Sequence, residues 1–494
     1  NSFNLFDGIP ASGNAYLVDD ILKTRWHFEG FVVSDWGSFG EMISHGFAAD
    51  TADAAAKALM AGSDMDMESR AFQRELARLV HEGKVPEVRL NDAVRRVLYW
   101  KFRLGLFDQP YRYHNPAREK ASLFTDAHQA VAREAAANAM VLLQNRGNAL
   151  PLNKSLKNIL VVGHLAESQD DVLDFWKGQG EPGQTVTILA GLRQKYPNAL
   201  VDFVRGYDKA FNFNANDAQL IRSKGGKADA IVVVIGLSGE VGGEARSLSD
   251  LRPAPGQMEA LRQAKATGKP VVVVVQTGRP MVLTELIADF PAILCAWIGG
   301  TQHGNAVADI LAGDVNPSAK TVMTFPYSVG QVPVYYNHYN TGRPHQDGKE
   351  GPDHFWFSRF RDIPNAPLFP FGYGLSYSAF EYSNMQVEKN EINQNDSLRV
   401  RISIKNTSNR DGIEIAQLYI RDVTASRARP VKELKGFERL HIPAGATREV
   451  AFQLPAQALG FYDENGRWLI EPGLFKVMVG PNSRDVSEAE FVLK

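Results

Sequence analysis

The sequence predicts a multidomain chain in which two α/β regions precede an all-β region. Three observations lead to this prediction. The 494 residues correspond to about three domains at roughly 150 residues each. Strand and helix patterns alternate up to about residue 326, whereas a period of two, typical of half-buried strands, dominates from residue 376 onward. The composition, 44% hydrophobic and 22% charged, is that of a globular chain and excludes a disordered or fibrous protein.

The charge and hydropathy of the chain argue against two large function classes. Lys and Arg total 54 and Asp and Glu total 56, which gives a net charge of −2. A nucleic-acid-binding protein needs a basic excess to neutralise phosphates. The longest apolar run of β type, Val271–Val275, is far shorter than the roughly 18 residues of a membrane span. We therefore predict neither nucleic acid nor a membrane as partner.

Cysteine and histidine usage argues against a metal site. The single cysteine, Cys295, excludes an internal disulfide and a multi-cysteine metal site, and its apolar neighbours predict a small buried side chain. The 11 histidines have no metal-ligand spacing such as H-E-x-x-H. We therefore predict no metal site.

Residues 1–110 have the pattern of the C-terminal part of a (β/α)8 TIM-type barrel. A buried apolar run at Phe31–Val33 is bracketed by amphipathic segments, which indicates a parallel sheet. The predicted helical segments are Tyr16–Trp26, Ala52–Ala61, Ala71–His81 and Leu90–Leu104. A complete barrel typically needs about 250 residues. We therefore expect a fragment that contains only the last two or three βα units.

A second α/β domain is predicted over residues 124–326, after a polar linker at 111–123. Near-continuous apolar runs predict strands that are buried on both faces of a parallel sheet. These runs are Ile159–Val162, Ile231–Ile235 and Val271–Val275. Helices are predicted at Ala127–Asn145, Leu189–Tyr196, Gln257–Thr267 and Ala306–Ala312.

The last two regions are a long connector at 327–375 and an all-β sandwich at 376–494. The connector is rich in Pro, Gly, His and aromatic residues without periodicity, and long ordered loops are usually functional. The sandwich is predicted from alternating segments separated by turn residues. These segments are Leu398–Ile404, Ile415–Ile420, Glu449–Leu454 and Phe475–Val479.

Asp35 is the first candidate catalytic residue. It ends the apolar strand within Gly30–Gly37, and the carboxyl ends of barrel strands hold the catalytic groups of barrel enzymes. A carboxylate there is a candidate nucleophile. Alternatively, Asp35 or Ser34 only caps the helix that follows. Trp36 beside it could stack on a sugar ring or belong to the core.

Two glutamates in a glycine-rich loop form the second candidate. Glu240 and Glu244 lie in Gly236–Arg246, directly after a buried strand, so either carboxylate could face a neighbouring domain. A retaining glycosidase needs a nucleophilic carboxylate and a carboxylic acid about 5–5.5 Å apart, and two domains can supply one each. An ordinary solvated loop remains the alternative.

Two other motifs are rejected on their context. Gly178–Gly183 matches G-x-G-x-x-G, but Pro182 stands where a phosphate-binding helix should begin. Gly236–Gly239 begins like the nucleophile elbow of serine hydrolases, but Glu240 replaces the closing glycine. A dinucleotide site and a serine hydrolase are therefore not predicted.

Together these motifs resemble glycoside hydrolase family 3, and within it the bacterial periplasmic β-glucosidases. The matching segments are Asn4–Pro10, Leu17–Phe28, Gly30–Trp36, Arg133–Ala135, Val141–Asn145, Leu150–Leu152, the Glu244 loop, Thr341–Pro344, Ser358–Phe360 and Pro370–Tyr377. Asp7 stands where the family usually has Asn, and Arg246 is displaced from the family's usual arginine position. The second departure leaves Glu240 as an alternative to Glu244.

The resemblance implies a retaining, exo-acting β-glucosidase that removes terminal nonreducing β-D-glucosyl residues from oligosaccharides and glucosides. In it Asp35 is the nucleophile, Glu244 is the acid/base and Trp36 contacts substrate; no cofactor is required. The last region becomes a fibronectin type III-like domain. A β-xylosidase or another β-glycosidase of the family is the alternative, as is an inactive carbohydrate-binding fragment if the barrel is incomplete.

The resemblance also implies partners and a compartment. In close relatives the connector reaches the active site of a second subunit. We therefore expect a homodimer in which Arg359 and Phe360 line the leaving-group side of a partner's cleft. A complementary chain that supplies the rest of the barrel is a further expected partner. The expected location is periplasmic or secreted.

Overall fold

The computed structural model describes residues 1–346, 349 and 354–494 of the chain. They form two compact units, Asn1–Leu123 and Phe124–Lys494, hereafter the first and the second unit. Residues 347, 348 and 350–353, which fall in the predicted connector, lie outside the described residues. In the described part of the chain, no helix combines the length and the apolar character needed to cross a membrane.

The first unit consists mainly of helices. Its elements are β1 (Leu5–Phe6), β2 (Ile9–Pro10), a π-helix (Tyr16–Arg25), α1 (Ser38–Ser44), α2 (Thr51–Met60), α3 (Ala71–His81), α4 (Glu87–Arg103) and α5 (Pro116–Ser122). Helix α5 lies within the region that the sequence predicts as a polar linker. It forms there because the Asn115 side chain accepts a hydrogen bond from the Arg118 amide at 2.9 Å, and Pro116 occupies the first turn.

The core of the first unit lies between α1, α2 and α3. Phe39 and Met42 of α1 and Leu59 of α2 are almost completely buried. Burying a side chain of this size contributes about 1.5–3 kcal/mol. The alanine-rich face of α2 lets its neighbours approach closely, so this core holds the start of α1 just after Asp35.

The predicted strand at Phe31–Val33 is short in the structure. Val33 forms a parallel bridge with Met65. The amides of Asp64 and Met65 donate to the Val32 carbonyl at 2.8 and 3.1 Å, and the Ser34 amide donates to the Met65 carbonyl at 2.9 Å. Two parallel extended segments therefore run side by side in this unit, and Asp35 follows the first of them.

The second unit contains a six-stranded sheet covered by helices. In chain order its elements are α6 (Asp126–Ala139), β3 (Val141–Asn145), β4 (Asn158–Val162), α7 (Ile188–Lys195), β5 (Leu200–Val204), α8 (Ala215–Gly225), β6 (Ala230–Gly236), α9 (Pro255–Lys265), β7 (Val271–Gln276), α10 (Thr284–Asp289), β8 (Ala292–Cys295) and α11 (His303–Leu311). The spatial order is β3-β8-β7-β6-β4-β5. Every pair is parallel except β3 with β8.

The sequence prediction of one helix over Ala127–Asn145 is wrong for its last six residues. Helix α6 ends at Ala139 and the chain continues as strand β3. Residues Val141–Asn145 pair with β8 and are almost fully buried. These residues have a helical pattern, but they form a strand because they pair with a strand about 150 residues further along the chain. Local periodicity does not detect a partner at that distance.

Strands β4 and β6 are neighbours and run parallel. The loops that follow them, after Val162 and after Gly236, therefore leave the same edge of the sheet. Strand β6 is fully buried, as expected of an apolar run covered on both faces. This topology brings the loop with the two glutamates next to the loop that follows β4.

The described part of the connector is mostly irregular and includes a 3-10 turn at Val329–Gln331. Its last part returns to the sheet. The Leu375 amide donates to the Leu142 carbonyl of β3 at 2.9 Å, and the Tyr373 hydroxyl donates to the Leu143 carbonyl at 3.2 Å. The connector therefore lies along the outer strand β3 before it enters the all-β domain.

The all-β domain is a sandwich of two sheets with a small hairpin. Its strands are β9 (Phe380–Val387), β10 (Glu391–Ile392), β11 (Ser397–Asn406), β12 (Gly412–Asp422), β13 (Glu433–Ile442), β14 (Thr447–Pro455), β15 (Phe461–Tyr462), β16 (Trp468–Leu469), β17 (Gly473–Gly480) and β18 (Ser487–Leu493). The sheets are β10-β18-β17-β12-β13 and β14-β11-β9. Strand β11 buries Leu398, Val400 and Ile402 in the core, as its alternation predicts.

Candidate active site

Asp35 lies exposed at the point where the extended segment of the first unit turns toward α1. Its Oδ1 accepts a hydrogen bond from the Trp36 amide at 2.7 Å. Its carbonyl accepts from the Ser38 amide at 3.2 Å. The side chain is therefore oriented by the residue that follows it, and the turn is tied to α1 through the main chain.

The backbone before Asp35 is held by two buried groups. Ser34, 1% exposed, accepts the Met67 amide on its Oγ at 2.7 Å and donates to the Asp35 carbonyl at 2.9 Å. The Val32 amide donates to Oδ2 of Asp64 at 2.8 Å. These bonds fix both sides of the segment that ends at Asp35.

Asp64 is itself paired with a buried lysine. Lys23 Nζ lies 2.7 and 2.8 Å from the two carboxylate oxygens, and the two side chains are only 5% and 3% exposed. Burial lowers the pKa of the Lys23 ammonium, and its hydrogen bond and attraction to Asp64 oppose that effect. The π-helix is thereby connected to the segment that precedes Asp35.

Trp36 is 65% exposed. Its indole is therefore available to stack on a ligand rather than being packed in the core of the first unit. Carbohydrate rings pack well on such exposed aromatic faces because one side of a pyranose is apolar.

The glutamate loop, residues 237–246, leaves the sheet directly after Gly236. Gly236 has φ +142°, and a Cβ there would lie 1.7 Å from the Gln276 carbonyl oxygen, so only glycine fits. The Gly239 amide donates to Asp171 Oδ1 at 2.9 Å. Arg279 Nη2 donates to the carbonyls of Val241 and Arg246 at 2.8 and 2.7 Å. The loop is therefore held by its main chain.

Both glutamates of this loop are exposed. Glu240 lies 3.4 Å from Lys209 Nζ in an ion pair whose side chains are 73% and 65% exposed, so the pair contributes little stability. Glu244 lies four residues further on, beside Ala245, which has φ +56°. The Glu244 carbonyl accepts a hydrogen bond from Arg246 Nη1 at 3.2 Å.

An exposed aromatic pair, which the sequence reasoning missed, lies beside the glutamate loop. The Arg246 guanidinium carbon is 4.2 Å from the centroid of the Phe175 ring, and Phe175 packs edge-on against Trp176. Trp176 is 70% exposed. The sequence reasoning missed this pair because the order of the strands in the sheet was not known. Since β4 and β6 are neighbours, the two aromatic residues in the loop after β4 lie beside the loop after β6.

Arg359 and Phe360 lie in the connector, in the second unit. The Phe360 amide donates to Asn365 Oδ1 at 2.8 Å, and its ring is 39% exposed. Both residues line a cavity of about 730 Å³ whose other walls include Tyr336, Lys432 and Arg484. The structure therefore places these two residues in a cavity lined by the connector and by the all-β domain.

The predicted site residues occupy three places. Asp35 and Trp36 are adjacent in the first unit, Glu240 and Glu244 share one loop of the second unit, and Arg359 with Phe360 line the connector cavity. Among the described residues, no group of three or more His, Cys, Asp or Glu side chains is arranged to hold a metal ion.

Three family models match successive parts of the chain. Residues 1–99 match the N-terminal domain of glycosyl hydrolase family 3, residues 140–377 match the C-terminal domain of that family, and residues 414–483 match a fibronectin type III-like domain. The three matches follow the order of the folded regions described above.

Individual relatives agree with these matches. The chain is 39% identical to a periplasmic β-glucosidase of Salmonella typhimurium, over 100% of this chain and 67% of that protein. It is 33% identical to a β-xylosidase of Formosa agariphila, over 97% of this chain and 66% of that protein. The chain thus spans about two thirds of the length of these relatives.

Solved structures give the same result. The β-glucosidase from Listeria innocua in complex with isofagomine superposes with a TM-score of 0.93 at 39% identity, over 100% of this chain and 68% of that one. The same enzyme in complex with glucose also gives a TM-score of 0.93 at 39% identity, over 100% of this chain and 67% of that one.

Proposed function

Because the chain belongs to glycosyl hydrolase family 3, we propose that it carries both catalytic carboxylates of a retaining β-glucosidase. The substrates are oligosaccharides and glucosides, from which single β-D-glucosyl residues are removed at the nonreducing end. Similarity to a β-glucosidase over the whole chain supports this substrate class.

Asp35 is the nucleophile of this proposal, and its position carries the proposal. It is exposed at the carboxyl end of a parallel extended segment, where α/β enzymes hold reacting groups. The Trp36 amide orients its Oδ1. The carboxylate attacks the anomeric carbon, the bond to the leaving oxygen breaks, and a covalent glycosyl-enzyme forms.

Glu244 is the general acid and then the general base. As an acid it gives its proton to the leaving oxygen. After the leaving group departs, the same carboxylate removes a proton from the water that attacks the anomeric carbon and frees Asp35. Glu240 is the alternative candidate in the same loop, and its carboxylate lies 3.4 Å from Lys209 Nζ in an exposed ion pair.

Exposed tryptophans supply the sugar contacts. Trp36, next to the nucleophile, stacks on the glucosyl unit, and Trp176, next to the glutamate loop, provides a second apolar face. The chemistry proposed here uses carboxylates and water alone, so the reaction requires no cofactor.

Arg359 and Phe360 act on a neighbouring subunit in this proposal. The protein forms a homodimer, in the periplasm or outside the cell, and these connector residues line the leaving-group side of the partner's cleft. An Arg359→Ala variant should weaken dimerisation and lower turnover of aryl glucosides. If sedimentation and turnover are both unchanged, this part of the proposal is wrong.

A β-xylosidase is the second candidate, because a β-xylosidase is 33% identical over nearly the whole chain. Paired p-nitrophenyl β-glucoside and β-xyloside distinguish the two activities. The larger kcat/KM of the two identifies the sugar that the site accepts.

The main test combines mutagenesis with an intact-mass measurement of the purified protein. Asp35→Asn and Glu244→Gln should each lower kcat/KM for phenyl β-glucoside by at least about 100-fold, while Glu240→Gln is the matched control. Azide should restore turnover of a Glu244→Ala variant, because azide attacks the anomeric carbon of the glycosyl-enzyme without a general base, the bond to Asp35 breaks and β-glucosyl azide is released.

The intact mass and the turnover together distinguish an active enzyme from a carbohydrate-binding fragment. Turnover that Asp35→Asn abolishes supports the proposal, and a co-purifying second chain would then identify the complementary part of the barrel. A lone chain of 54.6 kDa that binds glucose without turnover would contradict enzymatic activity and favour a carbohydrate-binding fragment.

A further inference from the structure

We propose that Arg246, supported by the ring of Phe175, is the positioning residue that fixes the place of Glu244. The inference rests on the proposed role of Glu244 as acid/base. Arg246 touches neither sugar nor water in this proposal. It acts through the backbone of the loop that carries the carboxyl group.

The guanidinium of Arg246 bridges two main-chain carbonyls within the loop. Its Nε donates to the Glu240 carbonyl at 2.6 Å, and its Nη1 donates to the Glu244 carbonyl at 3.2 Å. The planar guanidinium group therefore sets the distance between two peptide carbonyls that are four residues apart in the sequence. Lysine has a single flexible ammonium and cannot reproduce this geometry.

The loop needs such a contact because its backbone turns unfavourably beside Glu244. Ala245 has φ +56°, a left-handed conformation that a residue with a Cβ adopts at a cost in free energy. This turn lets the Arg246 side chain fold back over the loop. The two hydrogen bonds and the ring contact offset that cost and select this conformation over others.

Phe175 provides a fixed surface under the guanidinium. The Arg246 Cζ lies 4.2 Å from the ring centroid, within the range of a cation–π contact. The Phe175 side chain is packed tightly against the loop, since a Cβ on Gly243 would lie 2.9 Å from the Phe175 Cβ. Arg246 is therefore held on one side by the ring and on the other by the carbonyls.

Arg279 has a separate role. It bonds the carbonyls of Val241 and Arg246 from β7's side of the loop, so it anchors the main chain without touching either glutamate. Loss of Arg246 should therefore leave the loop attached while Glu244 moves. A misplacement of about 1 Å at a catalytic group can cost about 100-fold in rate.

Leaving-group dependence is the readout that separates positioning from a general loss of structure. Phenyl β-glucoside needs protonation of its leaving oxygen, whereas 2,4-dinitrophenyl β-glucoside does not. In Arg246→Ala, kcat/KM should fall about 100-fold for the first substrate and less than about 3-fold for the second. Arg246→Lys and Phe175→Leu should give smaller losses with the same preference.

Arg252→Ala is the matched control. Arg252 lies six residues further along, and its guanidinium pairs with Asp250. This variant should behave as wild type with both substrates. An equal fall for both substrates in Arg246→Ala would refute the positioning role.

Two further results keep this inference separate from the proposed function. If Glu244→Gln lacks the leaving-group preference, the assignment of Glu244 is wrong. Amide hydrogen exchange of residues 237–246 tests the inference without any turnover: exchange should rise in Arg246→Ala and not in Arg252→Ala. Unchanged exchange of this loop in Arg246→Ala would overturn the inference, whether or not the protein is catalytically active.

Discussion

The buried pair of Lys23 and Asp64 offers a direct test of how the segment before Asp35 is held. Replacing Lys23 with Met keeps a long unbranched side chain, one heavy atom shorter, and removes its charge. Asp64 then stays buried, with the Val32 amide as its remaining donor among the three hydrogen bonds described above.

The expected cost is large because the carboxylate loses its counter-ion in a site from which water is excluded. The two side chains are 5% and 3% exposed, and breaking such a pair from one side costs about 3–5 kcal/mol. In Lys23→Met/Asp64→Asn the charge is gone and the amide oxygen can still accept from Val32. The double variant should therefore recover most of the loss, leaving about 1–2 kcal/mol.

The assay is urea unfolding with hydrogen exchange read on peptides from residues 1–123, so that the first unit is followed on its own. Lys23→Met should unfold at lower urea, with faster exchange at Val32–Ser34. A loss below about 1 kcal/mol would refute the reasoning. A double variant that is no more stable than Lys23→Met would also refute it, because the loss of stability would then not come from the unpaired charge of Asp64.

Three further outcomes are expected. Burial lowers the pKa of His303 to about 4, below the ordinary value of about 6.5. Between these two pH values the unfolded chain binds a proton at this histidine and the folded chain does not. The free energy of unfolding should therefore fall by up to about 3 kcal/mol as the pH drops from about 6.5 to about 4. His303→Asn should reduce this slope in pH-dependent urea titrations, and an unchanged slope would contradict it. Burial raises the pKa of Cys295 to about 12, so a thiol reagent at pH 8 should react only at the rate of unfolding; rapid reaction of the native protein would contradict this. Gly236→Ala should cost at least about 3 kcal/mol or prevent folding, because its Cβ would meet the Gln276 carbonyl. Gly268→Ala, at φ +70° in open space, should cost about 1 kcal/mol, and equal melting temperatures for the two variants would refute the steric explanation.

The sequence predicted the features that depend on neighbouring residues. The family and the fold class are confirmed by the family models and the solved structures. Strands β6 and β7 were predicted almost to the residue, because continuous runs of valine and isoleucine have few other conformations to adopt once buried.

Features that depend on distant contacts were not predicted. Strand β3 was assigned to a helix because its pairing partner β8 is remote in sequence. The contact of Arg246 with Phe175 joins two loops about 70 residues apart, and it becomes visible only when β4 and β6 are known to be neighbours. The roles of Asp35, Trp36, Glu244, Arg359 and Phe360 stay predictions.

The return of the connector to strand β3 determines where the chain can be cut. Strand β3 is the outer strand of its sheet, and the Leu375 amide donates a hydrogen bond to the Leu142 carbonyl on this strand. The Tyr377 hydroxyl also bonds the Ile310 carbonyl at 2.8 Å. An uncovered outer strand invites pairing with other molecules. A shortened protein that ends before Tyr373 should therefore aggregate, whereas one that ends after Tyr377 retains its own protective cover.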